Sequence, residues 1–209
     1  MNKFKVSISG SIGVGKTSVI DHFRTKDNYK TFKEDIDKEI LDLFYQNRLT
    51  SDKVINIELL NQFHFLCETI TREIKSYYSE EDILIYDRPI IEHSHVFAKQ
   101  NLNARDWALL VGMQELFLER LGYQKYDLAI ILDCDLETNL KRITGRGRQC
   151  ELDTDTTYFK ELLEEYQSDY FKGVLAEHSN KVIVIDTSNK TNEQVCAEIE
   201  QIIEEERNK

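Results

Sequence analysis

The sequence predicts an α/β fold, a five-stranded parallel sheet flanked by helices. Three observations carry that reading. Residues 83–86, 128–132 and 182–185 are unbroken apolar runs, the mark of strands buried on both faces. Longer stretches between them repeat apolar residues at helical spacing. At residues 4–18 an alternating strand breaks into a glycine-rich turn that opens a helix, and there Gly10, Gly15, Lys16 and Thr17 fit G-x-x-x-x-G-K-[ST]. Strands alternating with helices form parallel sheets through right-handed crossovers.

The elements follow in order. Residues 4–9 read as the first strand and 16–26 as the first helix, with Asn28 a left-handed cap. Residues 29–33 form a short second strand that ends at Glu34-Asp35. Ile36, Ile40, Leu41, Phe44 and Tyr45 recur at helical spacing. After a polar break at 47–52, residues 53–78 are the longest helical candidate. The third strand, 83–86, runs into Asp87-Arg88-Pro89. Helices follow at about 90–100 and 104–122, then the strand 128–132. A helix near 136–144 leads to Gly145-Arg146-Gly147-Arg148 in a short arginine-bearing lid, about 142–155. Residues 156–171 are helical, 182–185 form a fifth buried strand, and 191–206 are a final amphipathic helix.

Composition narrows the function classes. With 209 residues the chain suits one domain, 1–209, with a proper core. Its 38 acidic against 27 basic residues leave a net charge of −11, which disfavours a nucleic-acid polymer or an anionic membrane as partner. The four cysteines, Cys67, Cys134, Cys150 and Cys196, form no C-x-x-C, so a reduced, cytoplasmic chain is expected. No apolar run reaches ~18 residues, the length of a membrane span. The start runs straight into the first strand and leaves no room for a signal peptide.

Gly10-Ser11-Ile12-Gly13-Val14-Gly15-Lys16-Thr17-Ser18 is therefore the candidate cradle for a nucleoside triphosphate such as ATP. Glycines let backbone N–H groups turn toward phosphate oxygens, and the helix beginning near Gly15 aims its positive end at them. Lys16 supplies a charge for the β/γ-phosphates and Thr17 a hydroxyl for Mg²⁺. Ligands in such sheets bind beyond the C-terminal strand ends, and polar residues gather at three of them. Glu34 stands after the second strand, where a carboxylate can take a proton from an attacking hydroxyl, or merely cap a helix. Asp87-Arg88 stands after the third, suited to Mg²⁺ and an acceptor oxygen. Arg142, Arg146 and Arg148 surround two glycines, as in a mobile segment that closes guanidinium groups over phosphates. Gln62 lies within an apolar helix face, and by default reads as a surface residue. His93 and His95 lack a third ligand and read as ordinary hydrogen-bonded histidines.

Taken together, these residues resemble the deoxynucleoside kinase family and its P-loop kinase fold, nearly end to end. The resemblance implies Glu34, in Phe32-Lys33-Glu34-Asp35, as general base on the 5′-hydroxyl of a deoxynucleoside; Asp35 replaces the usual Pro. It implies Tyr45 on the sugar 3′-hydroxyl, Gln62 on the base edge and Phe97 stacked on the base. Asp87-Arg88-Pro89 is similar to the family's Glu/Asp-Arg-Ser motif, placing Arg88 near the 5′-oxygen and Asp87 near Mg²⁺, with Pro89 replacing Ser. The segment Arg142 to Glu151 is similar to the family lid, placing Arg146 and Arg148 on the phosphates and Glu151 on the 3′-hydroxyl. Thr69 and His93 stand where relatives carry residues that sort purines from pyrimidines, and they match neither pattern. A homodimer joined through the long helices is also implied.

Two other readings compete. A nucleoside monophosphate kinase of the thymidylate kinase type shares the sheet and the Asp-Arg motif, but it needs cationic partners for an acceptor phosphate. Arg48 and Arg72 are the only arginines between Glu34 and Asp87, and neither is beside Gln62. A GTPase-like switch would explain Asn189-Lys190-Thr191-Asn192, close to N-K-x-D, but leaves Glu34 and the arginines unused.

Overall fold

The computed structural model describes residues 3–34, 37–48 and 56–209, without the side chains of Tyr45, Asn47, Arg48 and Cys150. Asp35, Ile36 and the Tyr45 side chain, all named above, lie outside the described residues.

Among the described residues five strands, β1 (Phe4–Gly10), β2 (Tyr29–Phe32), β3 (Ile83–Asp87), β4 (Leu128–Asp133) and β5 (Val182–Asp186), form one sheet in the order β2-β3-β1-β4-β5. Every pairing is parallel, with Val6 opposite Ile85 on one side and Leu128 on the other. The side-chain period of two divides the core. Leu128, Ile130 and Leu132 enter one apolar layer with Ile20, Phe23 and Ile199. Ala129 and Ile131 enter the opposite layer with Leu66, Ile90 and Leu162.

The first layer is covered by α1 (Lys16–Phe23) and the last helix, α10 (Asn192–Arg207). The second is covered by α3 (Ile57–Tyr77), α5 (Ala104–Leu121), α8 (Thr156–Gln167) and α9 (Asp169–Glu177). The remaining helices are α2 (Lys38–Arg48), the short α4 (Lys99–Asn101), α6 (Leu136–Arg146) and α7 (Gln149–Leu152).

Several expectations need correction. β5 is an edge strand, not a doubly buried one: Ile185 is buried, whereas Val184 is half exposed. α1 ends at Phe23, and Asn28 adopts its left-handed φ of 66° in the turn before β2 instead of at the helix end. The stretch 156–171 is two helices. Ser168 leaves helical geometry, its hydroxyl donates to the Glu165 carbonyl, and it accepts from the Phe171 N–H to cap α9. Residues 93–98 form a π-helical turn instead of a plain α-helix; such turns concentrate at functional sites. Gly145 lies inside α6, so only Gly147, at φ 69°, bends the chain between α6 and α7.

Candidate active site

The ends of β1, β2 and β3 open into one cavity of about 470 Å³. The chain places Ile12, Gly13, Gly15, Lys16, Thr17, Ser18, Glu34, Gln62, Asp87, Arg88, Phe97, Arg146, Arg148 and Glu151 around it, although they come from five separate stretches of sequence. Gly10, Ser11 and Val14 support the turn from beneath. Gly10 has φ 141°, and a Cβ there would meet the Leu132 carbonyl oxygen at 2.5 Å, so both the turn and the neighbouring β4 demand glycine. Asn139 and Arg142 brace this turn from α6. The Asn139 amide donates to the Ile12 carbonyl at 2.6 Å, and Arg142 donates to the Thr187 hydroxyl and carbonyl at 2.9 and 2.7 Å. Arg142 thus ties α6 to the loop after β5.

Lys16 is buried, and its ammonium donates to the carbonyls of Gly10 and Ser11 at 2.6 and 2.8 Å. Burial, and next the charge of Arg88, pull its pKa down to about 7 against the opposing pull of Glu92, Asp87 and Glu34. A phosphate oxygen bound in the cavity would add a further negative charge beside this ammonium.

Glu34 sits between Arg88 and His93. Arg88 Nε donates to its Oε2 at 3.3 Å, and His93 Nε2 lies 2.9 Å from its Oε1 in a close contact not aligned as a hydrogen bond. Burial alone would raise the carboxyl, but Arg88 and then His93 outweigh it and hold the group well below the usual carboxylate range. Glu34 is therefore ionised at neutral pH. Asp87 shows the opposite balance: burial, then the charge of Glu34, push it up. Its Oδ2 accepts from the Glu34 N–H at 3.4 Å, while its buried Oδ1 has no hydrogen-bond partner among the described residues.

Arg88 has a backbone φ of 71°, a left-handed conformation directly before Pro89. Such strain costs on the order of 1–3 kcal/mol and persists where surrounding contacts over-determine it. Here the Arg88 N–H donates to the Ile8 carbonyl at 3.0 Å, and its guanidinium stands 4.8 Å from the Phe97 ring centroid. Arg72, which played no part in the sequence argument beyond its distance from Gln62, clamps the two strand ends. Its Nη1 donates to the carbonyls of Asp87 and Phe32, and its Nη2 to the Thr69 hydroxyl at 3.0 Å.

The far end of the cavity is aromatic and amide-lined. Gln62 is buried, correcting the default surface reading, and its Oε1 has no partner among the described residues. Asn61 and Phe65 join it from the same face of α3. The π-helical turn directs His93 and Phe97 to one side, and His93 stacks between Phe65 and Phe97 at centroid distances of 4.7 and 5.6 Å. His93 is therefore a cavity residue; among the described residues neither ring nitrogen has a hydrogen-bond partner. His95 is the ordinary histidine of the two, its Nδ1 2.8 Å from the Tyr170 hydroxyl. Thr69 does not line the cavity, because its hydroxyl is turned to the Phe65 carbonyl and Arg72.

Arg146 and Arg148 pair with a carboxylate of their own segment. Arg146 holds both carboxylate oxygens of buried Glu151 at 2.6 Å, and Arg148 reaches one at 3.4 Å. The cavity thus joins an anion-binding turn and cationic side chains at one end to an ionised carboxylate in the middle and a flat, amide-bearing pocket at the other. That sequence of chemistries suits phosphoryl transfer to the hydroxyl of a molecule carrying a planar ring.

Comparisons with known proteins agree. The family model described as deoxynucleoside kinase matches residues 6–208. A deoxyguanosine kinase of Lactobacillus johnsonii is 31% identical over 180 residues, covering 80% of this chain and 76% of that protein. A deoxyadenosine/deoxycytidine kinase of Bacillus subtilis is 27% identical over 169 residues, covering 78% of this chain and 75% of that protein. The structure of a deoxyadenosine kinase from M. mycoides, described with the products dCMP and a flexible dCDP bound, superposes with a TM-score of 0.76 at 20% identity, covering 97% of this chain and 100% of that one. These findings do not favour the thymidylate kinase or GTPase-like readings. With the P-loop, the ionised Glu34 and the buried Gln62 on one cavity, they make this chain a member of the deoxynucleoside kinase family, an enzyme that phosphorylates a hydroxyl of a deoxynucleoside.

Proposed function

We propose that the chain transfers the γ-phosphoryl group of ATP, bound with Mg²⁺, to the 5′-hydroxyl of a deoxynucleoside. The observation that carries this reading is the placement of Glu34, Arg88 and Lys16 on one cavity, between the P-loop and the pocket of Gln62, His93 and Phe97. A monophosphate and a diphosphate, the product pair described for the M. mycoides enzyme, are what transfer from a triphosphate to a nucleoside leaves.

The residues divide the work by position. The backbone N–H groups of Gly13 to Ser18 and the start of α1 hold the donor phosphates, with Lys16 leaving the Gly10 and Ser11 carbonyls for a phosphate oxygen. Gln62 pairs with the base edge and Phe97 stacks on its face. Glu34, kept ionised by Arg88, accepts the hydrogen bond of the 5′-hydroxyl and takes its proton as the bond to phosphorus forms. Arg88, Arg146 and Arg148 hold the oxygens of the transferring group; for the lid pair this requires release from Glu151, which then accepts from the sugar 3′-hydroxyl together with Tyr45.

The residues also suit Mg²⁺. This ion keeps several waters and takes few protein oxygens beside substrate phosphates, and the cavity offers the Thr17 hydroxyl and Oδ1 of Asp87, which has no hydrogen-bond partner among the described residues. When bound it would neutralise charge on the β- and γ-phosphates. We further propose a cytoplasmic homodimer formed through the exposed faces of α3 and α5. Among the described residues no helix is long and apolar enough to cross a membrane.

The test is a coupled ATP-consumption assay on purified protein with each of the four deoxynucleosides and with dTMP. Turnover with at least one deoxynucleoside, none with dTMP and none without Mg²⁺ is expected. Turnover only with dTMP would overturn the reading.

A further inference from the structure

Arg88 has more polar neighbours than the reaction requires. Nε faces Glu34. Nη1 donates to the Gly10 carbonyl at 3.2 Å, to the Tyr166 hydroxyl at 2.6 Å and to Oε1 of Glu92. The Tyr166 hydroxyl itself donates to that same Glu92 oxygen, closing a three-membered ring of hydrogen bonds. Among the described residues Nη2 makes no hydrogen bond, although Arg88 lines the cavity.

Glu92 and Tyr166 are fully buried and do not line the cavity. A buried carboxylate is costly unless paired, and the partners that Oε1 of Glu92 has are the guanidinium and the phenol, neither of which is substrate. Tyr166 reaches this point from α8, where its ring packs against Phe171 and Phe97. The N-terminal turn of α8 carries Tyr158 and Phe159, which pack against Ile143 of α6, the helix that ends at the lid. The group gripping Arg88 therefore stands on the same helix that supports the lid.

We propose that Glu92 and Tyr166 are positioning residues that clamp Nη1 of Arg88, so that Nη2 is presented to an oxygen of the phosphoryl group in flight. A guanidinium with one nitrogen on the base and one fixed to the protein interior has a single direction left for its third. That is the preorganisation an electrostatic catalyst needs, because no rearrangement is then required as charge moves. This inference rests on the phosphoryl-transfer reading above.

Tyr166→Phe removes the hydroxyl and keeps the packed ring. It should lower kcat about tenfold, with KM for ATP and deoxynucleoside within about twofold, because the clamp acts in the transition state. Glu92→Gln should lower kcat by at least as much. In an Arg88→Lys background, followed under single-turnover conditions, Tyr166→Phe should add no further loss, since its effect passes through Arg88. The melting temperature of each variant is measured alongside; if Glu92→Gln does not fold, the Tyr166→Phe pair decides. Wild-type kcat in Tyr166→Phe, a loss confined to KM, or the same tenfold loss in the Arg88→Lys background would each overturn the proposal. Failure of the wild-type protein to phosphorylate any deoxynucleoside would instead overturn the reaction.

Discussion

Glu34 shows how little a residue's type says about its chemistry. At its position after β2 it could have been an ordinary helix cap. Burial works against its charge, and Arg88 with His93 reverses that effect, so the carboxylate remains an anion inside a cavity. Glu34→Gln keeps the shape and removes the proton acceptor. It should lower kcat by roughly 10²–10⁴ and leave ATP affinity nearly unchanged, measured by steady-state kinetics and nucleotide titration. Normal turnover in that variant would remove Glu34 from the base role. The neighbouring residues were harder to read. Glu92 lies in Pro89-Ile90-Ile91-Glu92-His93, a stretch that names no partner for it, and Tyr166 is 78 positions away from Arg88. A missing signal of this kind is physical: burial of a charge depends on what packs over it, and the local pattern contains no trace of that. His93 was legible as a residue of this cavity only through the family resemblance, and its contact with Glu34 was not legible at all.

The elements were read well where the pattern was doubly buried and less well at their ends. β3 and β4 are central and almost fully buried, so their unbroken apolar runs matched the structure closely. β5 has the same composition but stands at the edge, a distinction that topology makes and composition does not. The split of 156–171 hinges on a single hydroxyl. Apolar spacing continues past it through Phe171, but Ser168 satisfies the end of α8 and the start of α9 together. Ser168→Ala should cost about 1 kcal/mol of stability, read as a lowered urea midpoint with unchanged slope. No shift in the midpoint would mean that packing of Phe171 and Leu175 alone holds the break. The π-helical turn at His93–Ala98 is a further feature that periodicity cannot announce, since one inserted residue moves only the side chains that follow it.

Over the whole molecule, the same long helices that bury the second core layer keep apolar residues on their outer faces. On α3, Leu60 and Ile74 are exposed at a two-heptad spacing, with exposed Cys67 midway between them; on α5, Leu109 and Leu116 are exposed one heptad apart. Neighbouring apolar stripes on packed helices suit a self-complementary interface. The wild-type protein should run at twice the mass of the chain in light scattering behind size exclusion. Leu109→Glu with Leu116→Glu should shift it to a single chain, and an unchanged mass would place any interface elsewhere. The sequence by itself determined the class of fold, the phosphate-binding turn and the order of the polar strand ends. These depend on local facts: a strand's apolar run, glycines and a lysine at fixed spacing in one turn, a charge directly after a strand. Only the tertiary structure decided which charges are buried together, which face of α3 meets the cavity, and that Arg146 and Arg148 rest on Glu151. Those outcomes are electrostatic and steric sums over residues far apart in the chain. Their sign is set by burial, which exists only after the sheet and its helices have packed.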